Sequence, residues 1–338
     1  GDLEAYERFL SGRARFHQRS GLDEAIADLE YATEHDPGFA EAWIYLAAAH
    51  HVAPGYPSDR NLPYEAMAQA ARAALARAKA LSPDNPLVLA MQASMETRSG
   101  NPVAALALFE RASAMRSHDS TPTMWHGLGL LRAGYIAEAI MVLERAHRMD
   151  PRVGINSGYL GLSYLAAGRD AEAEEQIRLA HANGWSIAAR LYVIALAARG
   201  ERARAVDFLQ SVVAEEDLES PAGIAFRDAI ADPGQAAPLV AMLEGPDGFD
   251  EVLLGLEREQ QFLSAAEALS RRPEGRQAWW LRMVWQPSSV GIREDPRFFG
   301  IARELGLVEL WEARGYPPGC VRVASRAGDR LDCPGMRP

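Results

Sequence analysis

Apolar positions recur with a fixed spacing along the first two thirds of the chain. In each unit a small residue is followed four positions later by a bulky one and three positions after that by another small one, as at Ala139, Leu143 and Ala146. These spacings place the three side chains on one face of a helix. The first residues of the units are Ala25, Ala71, Ala105, Ala139, Ala173 and Ala205. Those from Ala71 to Ala173 stand 34 residues apart, which predicts a repeat protein.

A glycine stands shortly before four of these alanines, at Gly100, Gly134, Gly168 and Gly200. Glycine adopts the left-handed backbone of a tight turn at little cost, so each unit is predicted to be two antiparallel helices joined at that glycine. Proline follows several of the second helices and ends them, at Pro37, Pro83 and Pro151. Units of this kind cover one another's apolar faces by stacking, which predicts an all-α superhelix.

The 34-residue pattern resembles that of the tetratricopeptide repeat (TPR) family over roughly residues 5–216. The resemblance implies a right-handed α-solenoid, a superhelix of helix-turn-helix repeats, with a helical C-terminal cap. We expect six repeats in residues 1–216 with an insertion at about 51–65, degenerate helical repeats in 217–285 and a capping segment in 286–338.

The 34-residue periodicity weakens after residue 216. Beyond that point the prediction rests on residues that typically begin or end a helix. Helices are predicted at 221–231, 235–243, 249–270 and 274–285, with a break at 245–248. Closing helices are predicted at about 296–305 and 307–314, and the last 24 residues show little regular pattern.

The TPR resemblance also implies a concave groove formed by the first helix of each repeat. The positions assigned to it are Ile44, Tyr45, His51, Met124, Trp125, Leu128, Leu131, Ile155, Tyr159, Leu162, Arg190 and Ile194. This apolar and aromatic lining favours a protein or peptide anchored by large side chains. The Lys, Arg and Asn clamp of chaperone-binding members is absent, although Arg98, Arg132 and Arg190 remain available to an acidic group.

Two alternatives compete with a partner in the groove. Trp279, Trp280 and Trp285 precede a proline-rich tail, which could fold back and cover the groove. The aromatic side chains of Tyr45, Trp125 and Tyr159 are equally suited to packing inside the repeats.

Composition narrows the possible functions. The 338 residues are 48% apolar and 24% charged, as in folded proteins, and the formal charge of -11 argues against broad binding to nucleic acid. No apolar run is long enough to span a membrane. We therefore expect no direct nucleic-acid binding and no membrane insertion by this chain.

Signals for catalysis are weak. Gly127-Leu128-Gly129 resembles the start of a phosphate loop, but it lies within a predicted repeat helix and follows no strand. His50-His51 has no further ligand at helical spacing, and no nucleophile-elbow, zinc-protease or Walker motif occurs. The prediction is a non-catalytic module with no metal and no cofactor.

Two cysteines, Cys320 and Cys333, lie near the C-terminus, and the residues alone allow a disulfide, a redox pair or neither. Around them stand Asp295-Pro296-Arg297-Phe298-Phe299, Leu305-Gly306-Leu307, Trp311, Pro317-Pro318 and Leu331-Asp332-Cys333. With the opening at residues 5–13, this segment resembles the C-terminal TPR region of ToxR-like membrane-anchored winged-helix regulators and of TPR-bearing class III nucleotide cyclases.

The second resemblance implies the periplasmic sensory or scaffolding part of a bacterial membrane-anchored signalling or transcription-regulating protein, with the cytoplasm as the alternative location. It also implies a disulfide between Cys320 and Cys333, because the periplasm is oxidising, worth about 3 kcal/mol in the chain-entropy model. The start at Gly1-Asp2, without methionine or signal peptide, is what we expect of an excised fragment.

The leading hypothesis is a non-catalytic TPR module that binds a protein or peptide in its concave groove. One alternative is a sensor in which a small molecule enters between the repeats and the C-terminal cap and shifts the module between two shapes. The other is a scaffold for homo-oligomerisation. The sequence leaves the oligomeric state open.

Overall fold

The computed structural model describes residues 2–56, 63–242, 251–272, 274–325 and 328–336, which are almost entirely helical. The predicted all-α class is confirmed. The repeat region contains α1 (Leu3–Gln18), α2 (Leu22–His35), α3 (Ala40–Val52), α4 (Tyr64–Leu81), α5 (Pro86–Arg98), α6 (Pro102–Ala114), α7 (Thr121–Ala133), α8 (Ile136–Met149), α9 (Gly154–Ala166), α10 (Asp170–Ala182), α11 (Ile187–Ala198) and α12 (Arg202–Val212).

These helices pack as six antiparallel pairs, from α1 with α2 to α11 with α12, and each pair contacts the next. The six alanines that begin the sequence units all lie on the second helix of a pair and are buried. The predicted turn glycines have positive φ angles, 78° at Gly100, 87° at Gly134, 71° at Gly168 and 79° at Gly200. The fold is therefore a TPR-like α-solenoid.

The predicted insertion is shorter at both ends than residues 51–65. His51 and Val52 belong to α3, Ala53–Gly55 form a single 3-10 turn, and α4 begins at Tyr64. Residues 57–62 lie outside the described residues.

Small residues let the two helices of a pair approach closely. On α7, a Cβ added to Gly127 would lie 2.4 Å from Leu143 Cγ on α8, which is far inside van der Waals contact. Two positions further along the same helix, a Cβ at Gly129 would lie 3.4 Å from Phe109, an ordinary contact distance. Gly127 is therefore required by packing, and Gly129 is not.

We expect Gly127→Ala to lower the free energy of unfolding by about 1–3 kcal/mol, the usual cost of overpacking a core. Gly129→Ala should leave it unchanged or raise it by up to about 1 kcal/mol, because glycine weakens a helix interior. Urea denaturation of both variants checks the contrast. Equal stabilities for the two variants would contradict the assigned helix packing.

The superhelix turns tightly enough to bring non-adjacent repeats together. Helix α1 contacts α9, four pairs further along the chain. The Tyr45 hydroxyl donates a hydrogen bond to Asp119 Oδ2 at 2.7 Å, and Trp185 Nε1 donates to the Tyr56 hydroxyl at 3.4 Å. These contacts join the second repeat to later repeats and narrow the concave space that the first helices surround.

The second half of the chain folds into short elements. Its helices are α13 (Glu215–Leu218), α14 (Pro221–Ala231), α15 (Ala237–Met242), α16 (Val252–Gly255), α17 (Glu259–Ser270), α18 (Leu281–Val284), α19 (Val290–Glu294), α20 (Pro296–Glu304) and α21 (Leu307–Arg314). The strands β1 (Val321–Val323) and β2 (Arg330–Asp332) pair antiparallel, with Arg322 opposite Leu331. The predicted helices at 221–231 and 307–314 are reproduced, and the break predicted at 245–248 lies outside the described residues.

Two of the longer predictions in this half are wrong. The helix predicted over 249–270 is interrupted before α17, where Glu257 has a φ of 58°. The helix predicted over 274–285 is reduced to a 3-10 turn and α18, because Ala278 has a φ of 44°. The C-terminal residues that showed no pattern contain the two strands. Residues other than glycine that adopt the left-handed backbone leave no signal in the apolar spacing, so the sequence did not reveal the helix breaks at Glu257 and Ala278.

The C-terminal segment, residues 274–336, folds back onto the repeats. Helix α18 contacts α7 and α9, and α21 contacts α6. The indole of Trp285 donates to the Arg132 carbonyl at 3.0 Å, and that of Trp311 donates to the Ala133 carbonyl at 2.9 Å. Gly134 makes room for this docking, because a Cβ there would lie 2.6 Å from the Trp285 ring.

Ion pairs and a disulfide complete this arrangement. Arg314 contacts Glu110 and Glu138, each at 2.5 Å, and the Tyr135 hydroxyl donates to the Gly315 carbonyl at 2.8 Å. Cys320 and Cys333 form the predicted disulfide across the two strands. In the described part of the chain, no helix has both the length and the apolar character needed to cross a bilayer.

Candidate functional site

A cavity of about 330 Å³ lies between the inner helices of the superhelix and the C-terminal segment. Helices α3, α7, α9 and α11 supply one side of it, and residues 276–282 together with Leu305 and α21 supply the other. The tight turn of the superhelix and the docked segment therefore convert the concave space into a cavity with walls on both sides.

One wall of the cavity is apolar. It contains Leu106 and Phe109 of α6, Leu128 of α7, and Leu307 and Leu310 of α21. Aromatic rings extend this surface, since Trp125 and Tyr159 also line the cavity and are themselves buried. A hydrocarbon or aromatic group placed here would bury apolar surface against these side chains.

The remaining wall carries positive charge, beginning with Arg19 at the end of α1. Its backbone is left-handed, with a φ of 56°, and this turns the side chain inward over the Phe16 ring at 3.9 Å. The guanidinium also donates to the Phe16 carbonyl. Burial lowers the pKa of Arg19, against a smaller opposite effect of the Tyr56 phenol.

Arg132 reaches the cavity from α7. Its Nε is buried without a hydrogen-bond partner, and no ion pair to its guanidinium occurs among the residues that the structure describes. Removal from bulk water lowers the pKa of Arg132 to about 10, and repulsion from Arg282 adds to the shift. The side chain retains some accessible surface, and Arg132 lines the cavity.

Arg282 differs from Arg132 because it has a counter-charge. Its guanidinium donates to Glu251 Oε1 at 3.0 Å, and both side chains are buried. Burial alone would lower the pKa of Arg282, but the attractions of Glu251, Tyr159 and Tyr56 together outweigh it and the pKa is raised. The one carboxylate among the described cavity residues is thus engaged with one arginine.

His51 lies beside these cations and is held neutral. Burial lowers the pKa of His51 well below its ordinary value, and repulsion from Arg98, Arg132 and Arg19 lowers it further. The positive charge of the described lining therefore comes from arginine alone. No group of three or more histidine, cysteine or acidic side chains is placed to hold a metal ion in the described ranges.

Seven of the twelve positions predicted for the groove line this cavity. They are His51, Met124, Trp125, Leu128, Ile155, Tyr159 and Arg190. The other five are buried elsewhere: Ile44, Tyr45, Leu131, Leu162 and Ile194. Tyr45 packs edge-on against Phe16, and the Leu162 carbonyl accepts a hydrogen bond from Gln286 at 3.4 Å. The folded-back segment covers the concave face from which these positions were predicted.

The cavity residues that escaped the sequence prediction include four polar ones, Arg19, Tyr56, Glu251 and Arg282. They lie outside the regular repeat positions, so the 34-residue spacing carried no information about them. Arg132 was singled out as a possible partner for an acidic group, as was Arg98. The Arg98 guanidinium donates instead to the His51 carbonyl at 3.2 Å.

Comparison with known proteins shows a similarity in fold to solved structures and no match at the level of sequence families. No protein-family model matches the chain, and no curated protein matches it. Among solved structures it is similar to YrrB, a TPR protein with an unusual peptide-binding site, with 20% identity, 48% of this chain and 77% of that chain covered, and a TM-score of 0.30.

Two further structures show the same level of similarity. The type IV pilus biogenesis factor PilW has 16% identity, with 75% of this chain and 98% of that chain covered and a TM-score of 0.38. Human IFIT1, as a dimer with PPP-AAAA, has 17% identity, with 86% of this chain and 67% of that chain covered and a TM-score of 0.45. At these scores the fold class rests on the helix pairs of this chain, which define a TPR-like solenoid with a cavity beneath its C-terminal segment.

Proposed function

We propose that this chain is a non-catalytic binding module that encloses a small molecule between its repeats and its C-terminal segment. The observation that carries the proposal is the convergence of seven predicted groove residues on one covered cavity. A volume of about 330 Å³ lies within the range of small-molecule sites, which are mostly apolar with a few placed polar groups. The cavity has that composition.

The proposed setting is the sensory part of a bacterial membrane-anchored signalling or transcription-regulating protein, exposed to the periplasm. The Cys320–Cys333 disulfide supports this setting, because structural disulfides persist in oxidising compartments. The motifs from Asp295 to Cys333 that resemble such regulators coincide with the segment that covers the cavity. In this proposal the covering segment is the part whose position responds to the ligand.

Occlusion of the cavity tests the proposal. Gly129 lines the cavity, and a Cβ there makes only ordinary contacts, so Gly129→Leu should fill part of the space without disrupting α7. A metabolite library screened by thermal shift should contain compounds that stabilise the unmodified chain and Gly129→Ala but not Gly129→Leu. A ligand at a hundred times its Kd stabilises the folded state by about 2.7 kcal/mol, which is readily measured.

Gly129→Ala is the matched control, since it tests the change of backbone preference without the added bulk. Hits that stabilise Gly129→Leu as strongly as the unmodified chain would place binding elsewhere and overturn the proposal. A screen without any hit, combined with apolar sequences selected on a peptide array, would also overturn it.

Protein or peptide recognition is the second candidate, and the apolar and aromatic character of the concave face favours it. Trp125 and Leu128 would form an anchoring surface of the kind that holds large side chains. Because both are buried, this function requires the C-terminal segment to leave the groove. Peptide affinity should then rise in variants that weaken the docking of that segment.

A further inference from the structure

The cavity concentrates positive charge inside a protein that is acidic as a whole. Its described lining contains five arginines, Arg19, Arg132, Arg190, Arg276 and Arg282, against the single carboxylate of Glu251. The complete chain carries a formal charge of -11. A low-dielectric enclosure with one sign of charge attracts ligands of the opposite sign.

Two of these cations form no ion pair within the described residues. Arg282 is paired with Glu251, whereas neither Arg19 nor Arg132 lies within ion-pair distance of any described carboxylate. A charge held away from water without a partner is strongly unfavourable. An anion bound between them would supply the missing partner.

The two uncompensated arginines belong to one cluster. Tyr56 and Tyr159 lie within electrostatic reach of both Arg19 and Arg132. The cavity therefore places two guanidinium groups and two phenolic hydroxyls close together. Guanidinium forks match the oxygen pairs of carboxylates and phosphates, and hydroxyls add further hydrogen bonds to the same oxygens.

The apolar wall and the volume limit the rest of the ligand. Phe109, Leu307 and Leu310 offer no polar side-chain atoms, so the part of the ligand beside them must be hydrocarbon or aromatic. A cavity of about 150 Å³ accommodates benzene. On that scale the 330 Å³ of this cavity corresponds to a molecule of about a dozen non-hydrogen atoms.

We propose that the cavity binds a small organic oxyanion, a carboxylate or a phosphate monoester, whose charged head lies between Arg19 and Arg132 and whose apolar body lies against α6 and α21. This inference names the ligand class of the proposed binding module and rests on that proposed function.

A matched panel of compounds tests the ligand class. Phenyl, indolyl and branched-alkyl bodies of equal length are each joined to a carboxylate, a phosphate ester, a hydroxyl or an ammonium group. Titration calorimetry with the full chain should show the carboxylate or phosphate members binding at least tenfold more tightly than the matched alcohols, with no binding of the amines. Acetate and inorganic phosphate, which lack the body, should bind far more weakly.

Arg132→Gln is the decisive variant. It should weaken binding of the anionic compounds by roughly 10- to 100-fold, the contribution of charged hydrogen bonds, and leave the alcohols unaffected. Folding is expected to persist, because the Arg132 guanidinium makes no ion pair with any described residue that the substitution would break. Arg148→Gln is the control. Arg148 is exposed on α8 beside Glu144, so this substitution removes the same charge outside the cavity.

The outcomes separate the ligand class from the binding function. Alcohols or amines that bind as tightly as the anions, with affinity lost in Gly129→Leu, would overturn the oxyanion and leave the cavity as a ligand site. Anion binding that Arg132→Gln and Arg148→Gln weaken equally would also overturn it, since the attraction would then be nonspecific. Absence of every cavity ligand, in the panel and in the library, would overturn both proposals.

Discussion

Trp285→Ala is expected to lower the free energy of unfolding by about 3–5 kcal/mol, the usual cost of removing a fully buried tryptophan. The Trp285 side chain is completely buried, donates to the Arg132 carbonyl at 3.0 Å and packs edge-on against Trp311 and Phe298. The substitution removes all of these contacts at the centre of the docking surface. Chemical denaturation measures the loss.

The effect should be concentrated in the C-terminal segment. Hydrogen exchange should accelerate most in residues 279–311, and the inner helices α7 and α9 should become accessible while the outer helices stay protected. Trp43→Ala provides a comparison, because Trp43 is only partly buried and donates locally to the Pro37 carbonyl at 3.1 Å. A loss for Trp285→Ala no larger than that for Trp43→Ala would contradict the docking role.

The contact can also be tested from the opposite side. Gly134→Ala places a Cβ at a position with a φ of 87° and 2.6 Å from the Trp285 ring. Because the two residues touch, the variant that combines Gly134→Ala with Trp285→Ala should lose less stability than the sum of the losses in the two single variants. Additive losses would indicate that the two positions act independently.

Removing the disulfide, as Cys320→Ala with Cys333→Ala, should lower the free energy of unfolding by about 3 kcal/mol in the chain-entropy model. The cysteines stand 13 positions apart in the sequence and flank the paired strands β1 and β2. Leu331 of β2 is fully buried, and β2 contacts α19 and α20, so the loop that the disulfide closes is anchored to the docked segment.

Denaturation with and without reductant measures the contribution. Reductant should lower the stability of the unmodified chain and leave that of the double alanine variant unchanged. Early proteolysis of the reduced chain should fall after residue 315. An equal response of both proteins to reductant would contradict a stabilising disulfide.

The repeat core was predictable because its contacts join residues within one repeat or between neighbouring repeats. Ala139, Leu143 and Ala146 meet neighbouring helices at spacings that recur in the sequence, and Gly134 marks its own turn through its backbone preference. Such features depend only on residues within one or two units of each other. Their positions in the structure therefore agree with the pattern.

The cavity was not predictable in the same way. Its closure depends on the small rotation of each repeat relative to the one before it. Added over five repeats, these rotations bring Arg19 near Tyr159, and no short stretch of sequence encodes their total. The inward turn of Arg19 depends on a left-handed residue that is not glycine. The pairing of Arg282 with Glu251 depends on how the segment after α15 folds back. The predicted groove positions supplied seven of the lining residues and left the charge of the site undetermined.

The contact between α1 and α9 has a consequence for how the molecule unfolds. In an open repeat array each unit touches only its neighbours, so the ends fray first and partly folded forms accumulate. Here α1 is held by a repeat far along the chain, and the C-terminal segment bonds to α7 and α9 together. Loss of either end removes contacts from the middle, so denaturation should occur as a single cooperative transition, as in a globular domain.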